Sequence, residues 1–253
     1  MDNNIKLFKH VYHLTADQCD PQQEMPMSLL VSKLIDIATM HANSWGVGYA
    51  RLVRDNQGWV LTRLTVEMER MPRVNEHYSI ATWVEEYNRH FSQRHMEIAD
   101  EQGNVIGHAR TVWFVIDFAT RASVDITKLD YISDNALPEK PCPIAPQGRM
   151  LPVTPVREGS HMFTYTDCDI NSHVNTVRYV ELLLNQFDLD FHQHYFVHRL
   201  EMAFVKECRY HETATIAIDD VACDDCRLDI LVDDVPHVRA RINFSPRKNL
   251  QEA

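Results

Sequence analysis

Apolar residues recur at three- and four-residue intervals along Met27, Leu30, Leu34 and Ile37, and again along Val174, Val177, Val180, Leu184 and Phe187. That period predicts one helix over 27–45 and another over about 173–190. Around them the chain predicts strands over 8–14, 59–69, 77–87, 91–101 and 105–117, and then over 161–166, 199–208, 212–221, 226–233 and 237–244. The order strand, helix, four long strands therefore occurs twice. Arg63-Leu64 and Arg199-Leu200 are each followed, thirteen residues after the arginine, by a glutamate that opens a strand, Glu76 and Glu212. The chain reads as a duplicated α+β unit. One apolar helix cannot bury its face against itself, whereas a long antiparallel sheet curling around it supplies the missing surface.

Six of the eleven prolines fall between Pro138 and Pro155. Proline fixes φ and lacks an N–H, so residues 131–157 are expected to be an extended linker. It divides an N-terminal domain, 1–130, from a C-terminal domain, 158–253.

Composition narrows the partners. A chain of 253 residues can bury a sizeable core, as one large domain or two small ones. No stretch approaches the ~20 apolar residues of a membrane span, so no membrane partner is expected. A net charge of −11 argues against nucleic acid, which needs a concentrated basic face. The first residues, Met1 to Lys6, lack the basic start and apolar middle of a secretion signal and the Arg/Ser-rich look of a transit peptide, and a cytoplasmic location is expected.

The six cysteines, without such a signal, are read as reduced thiols. Cys223-Asp224-Asp225-Cys226 has zinc-like spacing, but it stands in an expected hairpin turn with no second pair, and structural zinc normally takes four ligands. The 14 histidines are scattered, with His192 and His194 the nearest approach to a cluster. Neither a metal nor an organic cofactor is expected.

The segment Thr166 to Tyr179 gathers acid, amide and imidazole where the second predicted helix begins. At such an end, unpaired backbone N–H groups and the positive end of the helix dipole can hold a carbonyl oxygen as it becomes an oxyanion. Asp169 offers a carboxylate, Asn171 a positioning amide and His173 a titratable base. Acyl transfer to water suits this set. The plainer account of the same residues is capping, because Asp and Asn are common N-caps and a nearby His can satisfy a turn.

The run Asp-x-Asn-x-His-x-Asn-x-x-x-Tyr, here Asp169, Asn171, His173, Asn175 and Tyr179, resembles the signature of the acyl-acyl-carrier-protein thioesterases of plants and bacteria. In that family a strand after the helix carries adjacent Glu and Cys, and here Arg199 to Lys206 is followed by Glu207-Cys208. Met27 to Gly46, Trp59 to Arg63, Thr82 to Val84 and Arg110 to Trp113 are similar to the family's first half, so the resemblance runs from about Lys9 to about Phe244. It implies a tandem double hotdog, each half a long antiparallel sheet wrapped around one central helix. It also implies hydrolysis of fatty acyl-acyl-carrier protein, which releases free fatty acid and ends chain elongation, with acyl-carrier protein and the fatty acyl chain as partners. A monomer and a homodimer both fit, since a tandem duplication already pairs two hotdogs in one chain.

Within that reading, Glu207 and His173 orient and deprotonate water, Asn171 and backbone N–H groups near 173–175 hold the carbonyl, and Asp169 either attacks or assists. Asn175, Arg178 and Tyr179 are candidates for substrate contact, with bracing of the entrance as the plainer role for Asn175 and Tyr179. Strand alternation sets Glu207 and Cys208 on opposite faces, which favours Glu207 as the catalytic member and Cys208 as packing over a papain-like Cys-His-Asn set. Cys168 is read as a buried small residue.

The first helix is entered through Gln18 to Pro26 without an Asp-x-Asn-x-His, and Met71 stands where the repeat offset puts Glu207, so a single site is expected. The first half then provides the acyl pocket, with Met27, Leu30, Leu34, Ile37, Trp59 and Trp83 as candidate lining or plain core. Because carrier proteins of this family are acidic, docking would need a basic patch, for which Arg178, Arg239 and Arg241 are candidates. The rival readings are an acyl-CoA thioesterase and a non-catalytic acyl-binding hotdog module.

Overall fold

The computed structural model describes residues 6–129, 135–222 and 224–247. The chain divides into two compact units, Met1–Pro26 with Leu30–Gln147, and Met27–Leu29 with Gly148–Ala253.

In the first unit β1 (Leu7–His13), β2 (Gln57–Met68), β3 (His77–Tyr87), β4 (Phe91–Ala99) and β5 (Val105–Asp117) pair in the order β1-β3-β4-β5-β2, all antiparallel. The helix α1 (Met27–Ser44) buries Leu30, Val31, Leu34 and Ile37, the stripe that the apolar period marks out. It lies against the strands: His41 stacks on Phe8 of β1 and takes a hydrogen bond at 2.8 Å from the guanidinium of Arg94 of β4. A short helix α2 (Tyr49–Arg54) follows Gly46, whose φ of +76° ends the preceding turn. With one buried apolar residue, Leu52, it has no period for the sequence to display.

In the second unit β6 (Arg157–Met162), β7 (Tyr195–Phe204), β8 (Thr213–Ala222), β9 (Asp225–Val232) and β10 (Val235–Pro246) pair in the order β6-β8-β9-β10-β7, again antiparallel. This repeats the neighbour order of the first unit strand for strand. The helices α3 (Thr176–Leu184) and α4 (Leu189–His194) lie between β6 and β7 in the chain. Tyr179 of α3 packs edge-on to Phe163 and against Phe204 of β7. Each unit is a hotdog, a long antiparallel sheet with a helix on its inner face.

Three boundaries differ from the expected ones, each for a local reason. The sixth strand covers 157–162 and not 161–166, because Thr164 opens a 3₁₀ turn whose Asp167 carboxylate accepts the Thr164 N–H at 2.7 Å. The single helix expected over 173–190 is two helices. Asn175 caps α3, its side-chain oxygen accepting from Val177 N–H at 3.0 Å, and Asp188 caps α4 by accepting from Phe191 N–H at 2.8 Å. The strand expected to reach 208 stops at Phe204, since the N–H groups of Val205 and Lys206 both turn to the His237 carbonyl.

The proline-rich segment is fastened to the sheets. Leu137 N–H donates to Val84 O, Trp83 Nε1 to Lys140 O and Arg110 to Ile144 O, while further on Val156 N–H donates to Ile218 O. Residues 131–134 of the expected linker lie outside the described residues, as does Cys223 of the Cys223/Cys226 pair; Cys226 is buried.

Candidate active site

Asp169 ties the entrance to α3 into a closed loop. Its side-chain Oδ1 accepts from Asn171 N–H at 2.8 Å and His173 N–H at 3.3 Å, and its own N–H donates to His173 O at 2.8 Å. Ser172 completes the turn in the left-handed region, with φ +61°. One carboxylate thus takes two of the loop's N–H groups, and backbone carbonyls take those of Ser172 and Asp169. The side chains of Asn171, exposed, and His173, half-buried, have no hydrogen-bond partner among the described residues.

The loop is joined to the end of β7. Val174 N–H donates to Cys208 O at 2.9 Å, and His173 and Arg209 form an antiparallel bridge. This places Glu207, half-buried, in the segment alongside the imidazole-bearing loop. Neither Glu207 nor Cys208 lies in a strand, so strand alternation does not apply to them. Their different burial comes instead from the loop after Phe204.

The backbone donors expected to face a substrate are already engaged. The backbone N–H groups near 173–175 are not open to a substrate: those of His173, Val174 and Asn175 are taken by Asp169, Cys208 and Asp167. Those of Val177 and Arg178 go to Asn175. Among residues 171–178 only the Thr176 N–H, first in the helix, has no partner among the described residues. Thr176 is not among the residues that the motif singles out. The position right after an Asn N-cap is the signal that could have found it.

Asn175 and Tyr179 have structural work. Asn175 is the N-cap, and the buried Tyr179 accepts the Cys208 N–H at 2.9 Å, burial pushing the phenol's pKa up. Cys208 is fully buried, and that burial pushes its thiol up to about 11 despite help from Tyr179. Its neighbour is His237, at 3.2 Å, and not the His173 that a papain-like set would use. Cys168 is half-buried, its Sγ 3.6 Å from Thr164 O. The three candidate docking arginines each face an acid: Arg178 pairs with Glu181, Arg241 holds Asp225 through two bonds at 2.8 and 2.6 Å, and Arg239 lies 3.8 Å from Asp229.

The entrance to α1 in the first unit is built on the same frame. Asp20 accepts from Gln22 N–H and Glu24 N–H at 3.0 and 3.1 Å, Gln23 has φ +61°, and Met25 N–H donates to Pro72 O. Asp20 therefore matches Asp169, Gln22 matches Asn171, Glu24 matches His173, Pro72 matches Cys208 and Met71 matches Glu207. The turn is kept and the chemistry is not. In that unit Leu30, Leu34, Ile37 and Trp83 are buried, and Met27, which opens α1 and is grouped with the second unit, is buried as well. Trp83 and Trp59 also act as staples, their ring N–H groups donating to Lys140 O and Val47 O.

Residues 5–133 match the family model for the acyl-ACP thioesterase N-terminal domain and residues 157–246 that for the C-terminal domain. Among curated relatives, a chloroplastic acyl-[acyl-carrier-protein] hydrolase of Cuphea viscosissima and a chloroplastic palmitoyl-acyl carrier protein thioesterase of Gossypium hirsutum are each 22% identical over 80% of this chain and 52% of their own length. The chain thus spans about half the length of the curated relatives it matches. Among solved structures, an acyl-ACP thioesterase from Bacteroides thetaiotaomicron is 31% identical with a TM-score of 0.87, covering 97% of this chain and 100% of that one. A 12:0-ACP thioesterase from Umbellularia californica shares the fold at 15% identity, with a TM-score of 0.84 over 96% and 98% of the two chains.

Proposed function

The chain belongs to the acyl-ACP thioesterase family, and from that premise we propose that it hydrolyses the thioester of a fatty acyl chain on acyl-carrier protein, releasing the free fatty acid. The observation that carries this reading is the pair of unpartnered side chains, Asn171 and His173, held on a pinned loop beside Glu207. A thioester is already activated, so a base, water and a place for the oxyanion are sufficient.

The Asn171 amide and the Thr176 N–H receive the carbonyl oxygen as it gains negative charge. Glu207 and His173 orient water and take its proton as its oxygen bonds to the carbonyl carbon. The tetrahedral intermediate expels the carrier's thiolate as the C–S bond breaks, and the proton taken from water passes to that sulfur. A binding module with no reaction to perform has no use for this set.

Asp169 acts in this scheme through the turn. Its Oδ1 is committed to two N–H groups, and Asp20 does the same in a unit without the amide, imidazole and second carboxylate. Asp169→Asn keeps an oxygen acceptor and removes the charge. Its turnover is expected to stay above one-hundredth of wild type, the ~100-fold scale at which general-base or nucleophilic roles begin. A larger loss in a folded variant, measured by single-turnover kinetics, would assign the carboxylate a chemical part.

The activity itself is tested by a chain-length series of acyl-carrier-protein thioesters, with one acyl group also offered on coenzyme A. A kcat/KM higher on the carrier protein is the expected result. A preference for coenzyme A would move the assignment to acyl-CoA hydrolysis, and no turnover of either would leave a binding module.

A further inference from the structure

Cys208, Glu212 and His237 each bring one donor atom within 4.8 Å of the other two. Cys208 Sγ and His237 Nδ1 are 3.2 Å apart. Both residues are buried, with 0% and 1% exposure, whereas Glu212 is half-exposed and leaves the cluster open on its side. Nδ1, the ring nitrogen that faces the thiol, is the one placed to ligate an ion between them. Thiolate, imidazole and carboxylate are the donors of tetrahedral zinc, around which neighbouring donor atoms stand roughly 3.5 Å apart.

The first unit supplies an internal comparison. Arg73 N–H donates to Glu76 Oε2 at 2.8 Å as Arg209 N–H does to Glu212 Oε2, and Glu69 N–H donates to Ile106 O as Val205 N–H does to His237 O. The counterparts of Cys208, Glu212 and His237 are therefore Pro72, Glu76 and Ile106. Glu76 is gripped there by Arg70 through bonds at 3.0 and 2.7 Å. Cys208 and His237 are thus particular to the second unit, and the fold's own frame does not require them.

We propose that Cys208, Glu212 and His237 bind a thiophilic divalent cation such as zinc, and that its binding restrains hydrolysis. The second clause rests on the catalytic reading of Glu207 above. Coordination displaces the thiol proton to solvent and draws Cys208 toward the ion. Cys208 is tied to the site on both sides, through its carbonyl to Val174 N–H and its N–H to Tyr179, and His237 also lies against the Glu207 backbone. Lys206 adds a positive charge felt by both Cys208 and His237, but it is exposed and screened by solvent.

The test uses the full chain and two probes. Cobalt(II) reports thiolate ligation through a near-ultraviolet charge-transfer band, and zinc affinity is read by competition with a chromophoric chelator. Wild type is expected to give the band and Cys208→Ser to lack it, with His237→Gln and Glu212→Gln each weakening zinc by at least about tenfold. Acyl-carrier-protein hydrolysis should fall with zinc occupancy in wild type and be insensitive to zinc in Cys208→Ser. Circular dichroism checks folding. If Cys208→Ser does not fold, Glu212→Gln, on a half-exposed residue, carries the affinity test.

Absence of the band in wild type, or unchanged zinc affinity in the variants, overturns the site. Occupancy without inhibition overturns the regulatory clause. Because the band is read without hydrolysis, a chain inactive on every thioester would count against the proposed activity and leave the metal result standing.

Discussion

His173→Ala and Asn171→Ala are each expected to lower the turnover number on an acyl-carrier-protein thioester by at least about 100-fold, the usual scale for a general base or an oxyanion donor. Folding should survive. Neither side chain has a hydrogen-bond partner among the described residues, so truncation orphans nothing there, and the loop is held by backbone bonds to Asp169 that alanine keeps. The loss should appear in kcat more than in KM, since in the proposed scheme both groups act on charge that develops as the carbonyl is attacked. Steady-state kinetics on variants with wild-type circular dichroism decides the matter, and near wild-type turnover in either would dismantle the site.

The second large effect is a contrast between neighbours. Glu207→Gln keeps size and removes basicity, and should cost on the order of 100-fold or more in turnover. Cys208→Ala should leave most activity intact. A thiol pushed up to about 11 stays protonated at neutral pH, and full burial keeps alkylating reagents away. Losing one buried sulfur costs about 1 kcal/mol of packing, too little to unfold a two-unit protein. The reverse pattern, Cys208→Ala dead and Glu207→Gln active with both folded, would favour a thiol nucleophile.

The duplication, α1 and most strands were legible because a repeated apolar period survives any detail of packing. Local hydrogen bonds that override the period were harder to see. Nothing in the apolar residues of 199–208 announces that Val205 and Lys206 turn to the His237 carbonyl and end β7 at Phe204. The break before α4 and the 3₁₀ turn at Thr164 are capping events, and the Thr164/Asp167 spacing does carry a readable signature. Asn171, His173 and Glu207 were nameable from the motif. Thr176 and His237 were not, because the first is a backbone donor and the second is 29 residues from Cys208 in the chain, brought to it where β10 pairs with β7.

The matched turns at Asp20 and Asp169 bear on how such a duplicated chain could lose one of two equivalent sites. Each aspartate accepts two N–H bonds that the loop cannot do without, so drift there would fall under the folding threshold. The side chains at positions 22 and 71 take no part in those two bonds, and Glu24 instead faces Arg73 as an ion pair at 3.9 Å. Exchanging Asn, His and Glu there for Gln, Glu and Met leaves the frame intact, so a spare centre can fall silent in three steps, each nearly free of selection against misfolding.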